Sequence, residues 1–152
     1  MAETKKAAKR TEATETWTDE EKAAMQEHAR DMKAKRSGKK ADGEADLLAK
    51  IADMPPADRK LAERIHALVK ATAPELTSRT WYGMPAYNNK DGKLVCFFQA
   101  AAKFKARYAT FGFEENARID DGAMWPTSWA ITTDFSAADE AKLKALIKKA
   151  IS

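Results

Sequence analysis

A single cysteine, Cys96, leaves the chain without an internal disulfide, and two histidines, His28 and His66, offer no zinc-ligand spacing. Six glycines and five prolines are too few for a collagenous or low-complexity chain. There is no apolar run of about eighteen residues and no apolar leader segment, so neither a membrane span nor secretion is expected and the cytoplasm is the expected location. Excess charge of one sign is also scarce. With 27 Lys+Arg against 23 Asp+Glu the net charge is +4, which suits weak attraction to anions and falls short of a dedicated nucleic-acid binder. No glycine-rich phosphate loop, nucleophile elbow or calcium loop is present, and the expectation is a non-enzymatic protein. What the chain does have is 152 residues, 44% of them hydrophobic, enough for one domain with its own core.

Residues 1–16 mix Lys, Glu, Thr and Ala with no large apolar residue after Met1 and are expected to form a disordered tail. Thr18 followed by Glu21 is a capping-box pattern opening a helix over about Asp19 to Arg36. Its sizeable apolar residues, Met25 and Met32, share one stripe through which, with Trp17, the helix would dock on the core or recruit another protein. Residues 17–46 thus read as a helical extension and linker, and 47–152 as an α+β domain. Pro55-Pro56 starts a helix whose Leu61, Ile65, Leu68 and Val69 recur at core-facing spacing. From Trp81 to Phe135 lie twelve of the thirteen aromatics, the composition of strands. Strands are expected at Arg79 to Tyr82, Lys93 to Ala100, Phe104 to Phe111 and Ser128 to Thr133, and Ser136 caps a last helix bearing Leu143, Leu146 and Ile147. The order is helix, antiparallel sheet, helix.

Candidate binding residues follow from this pattern. Asn89-Lys90-Asp91-Gly92 is a hairpin turn, after which both faces of the next strand carry apolar side chains. On a strand from Phe104, the residues Lys103, Lys105 and Arg107 alternate onto one face, a basic row beside Phe97. Such a face suits a small anionic ligand, with single-stranded nucleic acid ranked below it. For a hard metal such as iron, the clustered carboxylates Glu114, Glu115, Asp120 and Asp121 offer oxygen ligands. Cys96, between apolar strand residues, reads as buried and inert, and His66 as structural or surface-exposed.

Four stretches carry a resemblance: Trp81-Tyr82-Gly83-Met84-Pro85-Ala86-Tyr87, Gly92 to Phe98, Tyr108 to Phe113, and Asp120-Asp121-Gly122-Ala123-Met124-Trp125-Pro126-Thr127. Together they resemble the YdhG-like domain of unknown function, which is grouped with YjbR and the bacterial frataxin homologue and includes members described as iron chaperones. The resemblance spans residues 47–150. It implies a two-layer fold, with the N- and C-terminal core helices on one face of an antiparallel sheet, and Fe(II) as a ligand. It departs from frataxin-type iron handling on the first core helix, where Asp58 and Glu63 stand against Arg59, Lys60, Arg64 and Lys70. A second reading is a binding module for a small anionic or aromatic ligand or for nucleic acid, built from Tyr82, Met84, Tyr87, Lys103, Arg107 and Trp125. Oligomeric state is not legible in the sequence.

Overall fold

The computed structural model describes residues 17–36 and 43–152. The expected tail at 1–16 lies outside the described residues, as do residues 37–42. Among the described residues, four helices and five strands make an α+β fold: α1 (Asp19–Arg36), α2 (Gly43–Ala52), α3 (Pro56–Thr72), β1 (Thr77–Trp81), β2 (Met84–Asn88), β3 (Leu94–Gln99), β4 (Ala109–Phe113), β5 (Ser128–Ile131) and α4 (Ala137–Ala150), with a 3-10 turn at Ala101–Phe104. The strands form one antiparallel open sheet in the order β1-β2-β3-β4-β5. The domain boundary expected at 46/47 falls inside α2, whose Leu47 and Ile51 are buried in the core.

The caps are those the sequence signals. Thr18 Oγ1 accepts from the Glu21 N–H at 3.1 Å while the Glu21 carboxylate accepts from the Thr18 N–H at 3.1 Å, and Ser136 and Asp139 repeat the arrangement at α4. Pro56 occupies the first turn of α3, where its missing N–H costs nothing.

Cross-strand register places Ser78, Tyr87, Cys96, Phe113 and Phe98, Phe111, Trp129 on one face of the sheet. There Tyr87, Cys96, Phe98, Phe111 and Phe113 join Leu61, Ile65 and Val69 of α3 and Leu143 and Ile147 of α4 in a single cluster, with Trp129 packed against it. Each large side chain fully buried in it stabilises the fold by about 1.5–3 kcal/mol. The apolar residues on both faces of β3 have a local cause. Tyr87 pairs with Cys96 but Asn88 pairs with Leu94, so Val95 is an extra residue, a bulge that breaks alternation and sends Val95 into the core beside Cys96.

One strand was not expected, and one expected strand is corrected. Met84 to Asn88 form β2, and the turn before it is confined to Tyr82 and Gly83, at φ 52° and 75°, between the paired residues Trp81 and Met84. And no strand runs from Phe104 to Phe111, because the buried carboxylate of Asp58 accepts the N–H groups of Ala101 (3.0 Å) and Ala102 (3.1 Å) and bends the chain into the 3-10 turn. Lys105 then takes φ 53° and β4 begins only at Ala109. Lys103, Lys105 and Arg107 therefore do not alternate on a strand face. Among the described residues no helix is long and apolar enough to cross a membrane.

Candidate functional site

The Tyr82-Gly83 turn is the best-built polar and aromatic site in the described chain. Positive φ at both positions is what a two-residue hairpin of the right twist demands, and tyrosine is a strained choice for the first of them. Its ring belongs to an aromatic row: His28 stacks on Tyr82 with centroids 4.1 Å apart and planes at 12°, Trp81 meets Tyr82 edge-on at 5.1 Å, and Trp81 meets Phe97 at 5.1 Å. Phe97 can lie over the outer face of the sheet because its cross-strand neighbour is Gly112, where any Cβ would collide with the ring.

Lysines gather at the same end of the sheet. Lys50 Nζ lies 2.7 Å from Glu27 Oε2, and Lys105 Nζ lies 2.9 Å from Glu20 Oε1. A side chain on Gly83 would sit 2.9 Å from the Glu27 Cγ and 3.1 Å from Lys103 Nζ, so the bare turn lets both groups close on it. Burial works against ionisation of Glu27, but hydrogen bonding and charge from Lys50 hold its carboxyl below the usual glutamate value. The bond to Lys105 lowers Glu20, and Glu20 in turn raises Lys105.

Helix α1 thus docks through Glu20, Ala24, Glu27 and His28, at i, i+4, i+7 and i+8. Of the two roles expected for the Trp17, Met25 and Met32 stripe, docking on the core is corrected: these residues remain 42%, 46% and 38% exposed. The contacts holding α1 are mostly ion pairs and one ring stack, with Ala24 its buried apolar residue.

Of the six expected ligand residues, only Tyr82 and Lys103 come together here. Met84 is buried, and Arg107 is exposed with its guanidinium 5.1 Å from the Tyr108 ring centroid. Trp125 is packed half-buried against the core, in the connection after β4. Tyr87 points into the opposite face, its hydroxyl 2.8 Å from His66 Nδ1, while His66 Nε2 lies 3.1 Å from Glu44 Oε1. A neutral imidazole protonated on Nε2 satisfies both contacts. Burial pushes the Tyr87 hydroxyl and the Cys96 thiol far up, which leaves both inert. The sequence reading missed His28 and Lys50; the available signal was the polar i, i+4, i+7, i+8 spacing on α1, overshadowed by the two methionines.

Glu114 is half-buried at the start of the β4–β5 connection, and Glu115, Asp120 and Asp121 are exposed. Among the described residues no three His, Cys, Asp or Glu side chains gather as metal ligands would. Comparison with protein-family models, with curated proteins and with solved structures found no match. The likeness to the YdhG-like domain therefore rests on the four sequence stretches alone.

Proposed function

We propose that this chain is a non-enzymatic binding module for a small ligand that joins a flat ring to an anionic group, bound at the Tyr82-Gly83 turn. The observation that supports it is the pair of neighbouring residues Glu27 and His28. One sets a carboxylate on Lys50 beside Lys103, and the other sets a ring on Tyr82, so α1 itself supplies an anion and a ring at fixed spacing. The fit is imperfect, because the stacked His28 leaves its Nδ1 buried without a hydrogen-bond partner. A ligand with the same two features would replace these contacts, stacking on Tyr82 and Trp81 and drawing Lys50, Lys103 and Lys105 to its anion.

The test is an NMR titration of the full chain with a nucleoside monophosphate as probe, with the nucleoside and inorganic phosphate as controls. Saturable shifts at Tyr82, Trp81 and Lys103 are expected from the nucleotide and not from either half alone. Glu27→Gln combined with His28→Ala should tighten binding about tenfold by removing the internal competitor, and Tyr82→Ala should abolish it. Absence of binding by both the wild type and the E27Q/H28A variant overturns the proposal.

A further inference from the structure

The two edges of the sheet are treated differently. At β1 the Ser78 carbonyl has Gly43 of α2 packed directly against it, and the Thr80 carbonyl accepts a hydrogen bond from Arg79 Nε at 3.0 Å. At β5 nothing comparable occurs among the described residues. The Phe113 N–H donates to the Thr127 carbonyl at 2.7 Å, in the same register that pairs Phe111 with Trp129 and Ala109 with Ile131. Alternation along an antiparallel pair then directs the backbone groups of Trp129 and Ile131 to β4 and those of Ser128 and Ala130 outward. Both outward residues are exposed, and β5 contains no charge, proline or bulge, the devices that normally guard an edge.

Beside this edge runs a groove of about 170 Å³ between β5 and α4, floored by Trp129, Ile131, Phe135 and Leu146 and carrying Asp139 and Lys142. We infer that β5 pairs antiparallel with β5 of a second copy of this chain, making a continuous ten-stranded sheet about a two-fold axis at Ala130. Two features favour a second copy as the occupant. An acid and a base one turn apart on α4 are self-complementary under a two-fold axis, so Asp139 of each copy meets Lys142 of the other. And the same axis sets residue 124 of one copy level with residue 136 of the other. Met124, 89% exposed just before β5, is thereby brought to the Phe135 end of the second copy's groove. The pairing joins the outward N–H and C=O of Ala130 in each copy across the axis, sets Ser128 of each copy opposite Thr132 of the other, and covers apolar surface on both sides.

Sedimentation of the full chain from micromolar to near-millimolar concentration tests this, together with amide exchange at Ala130. A monomer–dimer equilibrium is expected, with the Ala130 amide exchanging more slowly as concentration rises. Ala130→Pro removes only an outward N–H, so the variant should keep its fold by circular dichroism and become monomeric. Lys142→Glu should weaken the dimer about tenfold or more while leaving the strand untouched, which covers the case of a proline variant that does not fold. A wild type that stays monomeric throughout, or a dimer indifferent to both substitutions, overturns the inference.

Discussion

The imidazole of His28 lies on the phenol ring of Tyr82 at 4.1 Å, nearly parallel, and so ties a charged helix to a strained two-residue turn. The tie is reinforced on either side by Glu20 and Glu27 and by little buried apolar surface, so α1 is held by contacts that respond to protons and salt.

Acidification should release α1. Glu20 and Glu27 have carboxyls held below the ordinary value of 4.5, so their contribution to docking is complete above that value and is lost as pH falls through their lowered ones. Lys105, raised above 10.5, contributes fully below that value and loses its contribution as pH rises through the raised one. Ring-current shifts of Tyr82 should therefore move toward those of an unstacked ring at both extremes, and more readily at high ionic strength. A stack unchanged in acid would show that these ion pairs do not hold the helix.

Gly112→Ala should destabilise the domain by about 1–3 kcal/mol, because the new methyl group collides with the Phe97 ring. Urea unfolding measures the loss. Combining it with Phe97→Ala should recover part of it, and full additivity would mean that the two residues are not in contact.

Tyr87→Phe should cost about 1–3 kcal/mol, since it strands a buried His66 Nδ1 that now has a hydroxyl 2.8 Å away. The change should appear in the unfolding midpoint with an unaltered denaturant slope, and a neutral outcome would mean that water takes the hydroxyl's place.

An anaerobic Fe(II) titration, with magnesium as control, should give only weak, unselective shifts at Glu114, Glu115, Asp120 and Asp121, because the described side chains do not converge as ligands. Saturable, iron-selective shifts there would instead favour the iron reading implied by the YdhG-like motifs.

The sequence was most legible where a local rule acts alone. Thr18 and Glu21, Ser136, the α3 stripe and the Asn89 turn, whose Oδ1 accepts from the Asp91 and Lys93 N–H groups, are all decided within a few residues. It was illegible where a distant residue decides. Asp58 bends the segment at Ala101 from 43 residues away in sequence, so the alternation of Lys103, Lys105 and Arg107 suggested a strand that does not form. Strand β2 was hidden because a tyrosine at positive φ does not look like a hairpin corner. On α1, apolar spacing pointed to Met25 and Met32 as a stripe for docking or for another protein, whereas the docking contact is made by ions and one ring beside Ala24.

The positive φ of Tyr82 sets durability against recognition. A left-handed backbone costs a side-chain-bearing residue about 1–2 kcal/mol that glycine would not incur. Tyr82→Gly should raise the melting temperature of the turn's surroundings while stripping the aromatic row of its central member. In a selection for heat resistance alone, this position would be among the first to lose its ring.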